Sequence, residues 1–531
     1  MAIGLTDDQR SLAGALTDWA KDAGTVELIR EADRNRSRDF GDTWGRLTHL
    51  GVASIALPES VGGAGGSLVD LACALEACAR GLVPGPLLST AVAATLLAEH
   101  PETAAARVLP RIVDGSVSVA LALEPASLTR SDTGALSGRV PVVWDAGATT
   151  HLLLGAGSGG DEHWFLLDMA EAGVSVDPAP GVDLSRAVGS VRLDEVAGAD
   201  VQVPLSSARV QDVAVTLAAA ELSGVARWTL DTAVDHAKVR EQFGRKIGSF
   251  QAVKHLCAQM LETAESATAV AWDAASAYAD SGDQFGLAAA VAGSVALDAA
   301  VSNAKDCIQV LGGIGFTWEH DAHLYLRRAL SVSQLLGGAD RWRLRAADHA
   351  LEGVRRSVRI DLGGQDEQVR SRVREEVREI AARRGADRRT AMADAGLIAP
   401  HWPPPYGRGA GPVEQIVIDQ EFAEAGVSRP DLSIGAWAAP TILGHGTDEQ
   451  RDRFVGPTLR GDLSWCQLFS EPGAGSDLAS LRTRAERADG GWRLSGQKVW
   501  TSLAKEADWA ICLARTNPDV PQHKGITYFL V

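Results

Sequence analysis

The sequence predicts a mainly helical α+β protein. A helical N-terminal domain leads into a small β-barrel or sheet domain and a C-terminal four-helix bundle. A second, partial copy of the same plan follows. Three observations predict this: long Ala/Leu-rich stretches with apolar spacing of three and four, short β-rich runs broken by Gly turns between them, and an internal repeat.

The elements follow in order. Residues 1–116 carry helical spacing throughout and form the first helical domain. Residues 117–210 alternate short β-rich runs with Gly turns and read as a small antiparallel sheet domain. Residues 211–355 hold three long amphipathic stretches, LAAAELSGVARWTLDTAVDHA, FQAVKHLCAQMLETAESATAVAWDAASAYA and LAAAVAGSVALDAAVSNAKDCIQVL, enough for a bundle. A charged, Gly-containing linker, GVRRSVRIDLGGQDEQ, marks a boundary. Residues 365–462 are helical again, and residues 463–531 return to β-rich runs.

The repeat justifies the second half. HLGVASIALPESVGGAGG from His49 matches DAGLIAPHWPPPYGRGAG from Asp394 in its Gly and Pro punctuation, an offset of 345 residues. The same offset pairs LEACARG from Leu75 with QEFAEAG from Gln420. Further on, LALEP (Leu121–Pro125) answers LFSEP (Leu468–Pro472), and LSGRVPVVW (Leu136–Trp144) answers LSGQKVW (Leu494–Trp500).

Composition narrows the function classes. A net charge of -17 argues against nucleic acid and against anionic membranes. Six cysteines form no CxxC pair, so they are expected to be buried, reduced thiols of a cytoplasmic protein, with no metal site. The N-terminus has no basic segment followed by an apolar core, and the longest apolar run is interrupted by Asp298, so no membrane span is expected.

Three motifs carry chemistry. SEPGAGSD with GQKVWTSLA downstream lies in the second copy, VREQFGRKIGSFQAVKH (Val239–His255) in the first, and QVLGGIGFTWEHDAHLYLRR (Gln309–Arg328) also in the first. Together, on this helix–sheet–helix plan, they resemble the acyl-CoA dehydrogenase family, in the fused two-copy form of the steroid and bulky acyl-CoA dehydrogenases of actinobacteria. The resemblance implies FAD, with the ring and pyrophosphate against Gln467, Ser470, Gly475 and Ser476, Trp500 beside the isoalloxazine, and Thr501 and Ser502 on its polar edge. It also implies that Arg240, Gln242, Phe243, Phe250 and Gln251, with Gln309, Gly312 and Gly313, reach the pyrophosphate and adenosine arm of a neighbour's flavin. Such a ring needs donors to stabilise its reduced anion and an aromatic wall against water.

The motifs are split between the copies. The first copy keeps Glu124, Pro125 and Trp144 but lacks the Gly-Ser loop, and Asp145 and Ala146 replace the hydroxyl-bearing pair. One FAD shared between the copies is therefore expected, in a homo-oligomer built as a dimer of fused pseudo-dimers. The implied activity is α,β-dehydrogenation of an acyl-CoA thioester, with electrons passed to an electron-transfer flavoprotein. An oxidase of the same fold, or a non-catalytic partner lending an FAD half-site, are the alternatives.

The glutamate base of the resemblance is missing where it is expected. Leu336 and Ala214 stand at its two positions, and Leu324 and Arg328 replace an Arg and an Asp. Glu221 lies seven residues from Ala214 on the same helix face, either a relocated base or, more in keeping with burial, the partner of an arginine. The base is otherwise expected beyond Val531, and residues 1–531 read as an inactive fragment of a longer fused enzyme.

Overall fold

The computed structural model describes residues 5–531 except 36–39, 104, 158–161, 198–201, 280–282, 358–361, 363 and 365. The chain divides into two compact units, residues 1–360 and 361–531.

The first unit begins with helices α1 (Asp7–Asp22), α2 (Thr25–Asn35), α3 (Gly41–His49), α4 (Leu68–Arg80), α5 (Leu87–Ala98) and α6 (Ala105–Val113). Capping boxes start two of them. Thr6 and Gln9 exchange hydrogen bonds at α1, and Ser67 and Asp70 at α4, satisfying N–H groups the first turn leaves open. Helix α5 is apolar on every side and buried along almost its whole length, as a central helix must be.

Eight strands follow: β1 (Val119–Leu121), β2 (Thr129–Arg130), β3 (Leu136–Trp144), β4 (His151–Ala156), β5 (His163–Asp168), β6 (Val174–Pro178), β7 (Val188–Val196) and β8 (Gln202–Val203). Their order is β6-β7-β3-β1-β4-β5-β8, with β2 on β3. The sheet is mixed rather than antiparallel throughout: β1 and β4 run parallel, Ala120 opposite Leu152. Alternating apolar side chains cannot reveal strand direction, because side-chain period is the same in both ladders.

The bundle comprises α7 (Ser207–Val239), α8 (Gln251–Ala277), α9 (Gln284–Leu311), α10 (Ala322–Leu335) and α11 (Ala339–Leu351), with a hairpin β9 (Glu241–Gln242) and β10 (Arg245–Lys246) between α7 and α8. The small residues in these helices let them cross in contact. A Cβ at Gly224 of α7 would fall 2.2 Å from the Glu76 carbonyl of α4, and one at Gly293 of α9 would fall 2.6 Å from the Trp342 ring. Helix α9 is the one described helix long and apolar enough to cross a membrane, but 61% of its apolar window is buried inside this bundle. The acid near its middle, Asp298, pairs with Arg343 of α11, and Asp306 lies in its C-terminal part.

The second unit carries α12 (Glu367–Ala381), α13 (Gly385–Asp394), α14 (Pro412–Glu424), α15 (Gly435–His445) and α16 (Asp448–Arg460), then β11 (Trp465–Leu468), β12 (Arg484–Ala488), β13 (Gly491–Ser495), β14 (Trp509–Arg515) and β15 (Ile526–Leu530). Here too the sheet is mixed. Strand β11 lies parallel to β14, while β14 and β15 are antiparallel. Its core joins Trp465, Phe454 and Ile511 to the helices. All six cysteines are free, and all but Cys257 are buried.

Candidate functional site

In the second unit two segments form one platform. The first is the loop Ser470–Ser480 that leaves β11, and the second is the turn Val499–Leu503 that follows β13. A backbone bond from Val499 N–H to the Ser470 carbonyl, 2.9 Å, joins them. The loop closes on itself through paired bonds between Glu471 and Ala474. Gly475 and Ser476 are exposed, Gln467 and Ser470 half-buried, and the space where Gly473 and Gly475 would carry a Cβ is open.

Trp500 stands on this platform with 88% of its surface exposed and a left-handed φ of 58°. A bulky residue rarely adopts that backbone region, and a large aromatic rarely stays in water without use. Thr501 is half-buried beside it and Ser502 is exposed. Backbone groups, hydroxyls and a free aromatic face in one place suit a flat, polar-edged ring with an anionic tail. These residues therefore fit FAD, with Trp500 as the wall and Ser470, Ser476, Thr501 and Ser502 as donors.

The loop is held from beneath by an acid that sequence reasoning passed over. Glu471 is buried and accepts from Arg482 N–H (2.6 Å), Thr483 N–H (2.8 Å), the Thr483 hydroxyl (2.6 Å) and Lys498 Nζ (2.9 Å). Burial alone would raise its pKa, but these donors win and hold it down at about 2.

The first unit carries the other motif on the β9–β10 hairpin and its flanks. Phe243 and Gly244 form the two-residue turn, both with positive φ, and Phe243 is 92% exposed. Asn-Gly is the usual choice there, so an exposed phenylalanine at φ 53° marks a second strained aromatic. Phe250 meets it edge-on at 6.0 Å, and the Arg245 guanidinium lies 4.0 Å over the Phe250 ring. Arg240, Gln242 and Gln251 are exposed around it. Gln309 lies in the last turn of α9, after which Gly312 turns the chain at φ 65° and Gly313 is exposed. The segment thus offers cations and ring faces to solvent.

The bundle side of the first unit looks different. Ala214 and Leu336 are fully buried among apolar neighbours. Glu221 is buried too, and Arg328 Nη1 donates to it at 2.9 Å, with Arg186 as its second cation. Arg328 is 1% exposed and donates through Nε to Asp183 at 2.6 Å and through Nη2 to the Val83 carbonyl at 3.2 Å and the Ser185 hydroxyl. The guanidinium thus ties α7, α10, the β6–β7 loop and the chain after α4 together. Its charge holds Asp183 below the usual carboxylate range against burial. Glu124, the counterpart of Glu471, points away to Arg341 (2.7 Å) and Gln211 (3.1 Å).

Asp145 lies nearby at a positive φ of 57°, buried, with Ser89 donating to Oδ2 at 2.7 Å and no hydrogen-bond partner at Oδ1 among the described residues. Burial pushes its pKa up to about 6, although Arg186 pulls it back. An acid raised on folding contributes its full share below about pH 4 and loses it as pH rises through about 6. Asp145→Asn should therefore gain stability over the parent between pH 4 and 7.5, by up to about 3 kcal/mol. Urea melts at the two pH values check this, and a difference that stays constant with pH would contradict it.

Comparison with known proteins identifies the family. The N-terminal domain model of acyl-CoA dehydrogenases matches twice, at residues 6–116 and 365–462. The C-terminal domain model matches residues 212–351 and the middle domain model residues 466–531. The chain is 51% identical over 540 residues to the acyl-CoA dehydrogenase FadE34 of Mycobacterium tuberculosis, covering all of this chain and 74% of the relative. Among solved structures, a variant of the Tcur3481-Tcur3483 steroid ACAD aligns at a TM-score of 0.61 and 31% identity, covering 65% of this chain and 98% of the other. The ChsE4-ChsE5 complex of Mycobacterium tuberculosis aligns at 0.61 and 26%, covering 66% and 99%. A chain that repeats the N-terminal domain and carries a strained aromatic platform belongs to the acyl-CoA dehydrogenase family of oxidoreductases.

Proposed function

We propose that this chain binds FAD and serves the α,β-dehydrogenation of an acyl-CoA thioester. The observation that carries this is the platform of Ser470, Ser476 and the exposed, strained Trp500. It offers a ring site; within the first unit, the Arg240 segment offers a fixed cation and aromatic faces of the kind that suit a flavin's pyrophosphate and adenine. When bound, the flavin accepts the hydride equivalent leaving the acyl β-carbon. The chain's own residues then bind and orient that ring, exclude water from one face through Trp500, and place hydroxyl donors at its polar edge. The acceptor that reoxidises it is proposed to be an electron-transfer flavoprotein. The substrate class is a bulky acyl group, which similarity to a steroid ACAD supports.

Titration of the purified chain with FAD, read by visible absorbance and flavin fluorescence, tests the reading. Arg240→Ala and Ser476→Ala should each weaken binding by about tenfold or more, since each removes a charge-assisted or buried hydrogen bond. Ser131→Ala should leave affinity unchanged, because that hydroxyl is exposed and engaged with Thr133 and Ala135 N–H in the degenerate loop. Equal affinity in Arg240→Ala would show that this cation makes no contact with the flavin.

A further inference from the structure

We infer that Glu471 and Lys498 are positioning residues that lock the two halves of the flavin platform in register, an inference that rests on the flavin reading above. Both side chains are buried beneath the platform. Glu471 sits at the root of the Ser470–Ser476 loop, and Lys498 lies two residues before Trp500. The pair is 2.9 Å apart with only 7% and 8% of the side chains exposed. Lys498 also donates to the Phe469 carbonyl at 3.0 Å, so a single ammonium group clasps the residues on both sides of Ser470.

The clasp has a defined neighbourhood. Thr483 adds its hydroxyl and N–H to Glu471, and a Cβ at Gly496 would fall 2.2 Å from that hydroxyl and 2.7 Å from the Thr483 Cα. The glycine of the LSGQKVW run is therefore the space in which Thr483 reaches the acid. The acid, its threonine, the glycine and the lysine form one unit that ends at Trp500.

The first copy shows what happens without it. Its glycine, Gly138, faces Leu128 at 2.9 Å instead of a hydroxyl-bearing side chain. The lysine position is valine whichever way it is counted: Val140 from the shared glycine, Val142 from the shared tryptophan. Both side-chain donors of the cage are thus gone. Glu124 remains, but it turns outward to Arg341 and Gln211 and stays 58% exposed. The tryptophan of that copy, Trp144, is buried at 4% exposure, in contrast to Trp500. Within one chain, an exposed tryptophan platform occurs where the Glu–Lys clasp is made, and a buried tryptophan where it is not.

The physics of the link is local. Val499 N–H bonds the Ser470 carbonyl, so any slip of the chain at Lys498 moves Trp500 and the loop together. The left-handed φ of Trp500 is costly and persists only where the surrounding bonds over-determine it. The buried ion pair, with every Glu471 oxygen engaged, supplies that constraint.

The test uses the whole chain and three substitutions, Lys498→Met, Lys498→Arg and Glu471→Gln, with FAD itself as the probe. Lys498→Met should weaken FAD by about tenfold or more, the loss expected when a hydrogen bond to a charged group is removed. At saturating FAD its bound flavin should show the broad spectrum of free flavin rather than the structured one of the parent. Lys498→Arg, which keeps the charge and donors, should recover the parent spectrum and most of the affinity. The Glu471→Gln/Lys498→Met double variant removes both charges together and keeps the test readable if the single variant fails to fold; it should lose affinity no more than Lys498→Met alone. A Lys498→Met or double variant with parent affinity and parent spectrum would overturn the inference. A parent chain that takes up no FAD would overturn the flavin reading itself, and this inference with it.

Discussion

Arg328→Leu is expected to destabilise the first unit by about 3–5 kcal/mol, because it leaves buried Asp183 without its ion-pair partner and buried Glu221 with Arg186 alone. Asp183 and Glu221 are 4% and 2% exposed, and Arg328 is the cation that meets both. The native pairing roughly offsets the cost of bringing three charges out of water; removing one partner leaves that cost uncompensated. The pH dependence has a definite sign. Asp183 is held below its ordinary value, so its contribution is present above about pH 4 and is lost as pH falls further. In the variant Asp183 gains a proton more readily, so the gap between parent and variant should narrow toward pH 4. Urea unfolding followed by tryptophan fluorescence at pH 7.5 and 4.5 measures it. The triple variant Arg328→Leu/Asp183→Asn/Glu221→Gln should recover most of the loss, since a neutral set of similar shape carries no unpaired charge. A single variant as stable as the parent would show that the network holds nothing together.

The same network shows where sequence reading reaches and where it stops. The helical domains, the sheets between them and the duplicated N-terminal domain follow from periodicity and from Gly and Pro in register, because both signals are local. Strand direction was beyond it: the parallel pairing of β1 with β4, and of β11 with β14, depends on which runs meet in space. At the site, SEPGAGSD and REQFG were legible as motifs. The left-handed turns that expose Trp500 and Phe243 were not, since neither residue type favours positive φ. Glu471 was in view as part of the motif, but its role needed Lys498 and Thr483, which are 27 and 12 residues away. Arg328 was noted only as a departure from the family pattern. Its meeting with Asp183, 145 residues earlier, is a fact of tertiary packing alone.

Acyl-CoA thioesters added without oxygen to FAD-loaded residues 1–531 are expected to bleach the flavin slowly, about 10²–10⁴-fold below the rate a positioned base provides. The chemistry needs a carboxylate in reach of the substrate α-carbon, in a dry pocket that lets its pKa approach that of the activated substrate. Within the first unit, the two positions that family resemblance assigns to this group hold Leu336 and Ala214, both buried in apolar packing. Glu221 shares a helix face with Ala214, yet it is committed to Arg328 and Arg186. Each of its two oxygens is engaged by one of these cations, so neither is placed to take an α-proton from a substrate. Asp145 is raised toward 6 but belongs to the same buried network, with Ser89 on one oxygen. Stopped-flow absorbance with short, long and steroid-type acyl-CoA thioesters gives the rate, and Glu221→Gln should leave it unchanged once stability is allowed for. Fast bleaching by the parent that disappears in Glu221→Gln would make Glu221 the base and would require Arg328 to move away during turnover. Fast bleaching that survives the substitution would place the proton acceptor on a residue outside this network.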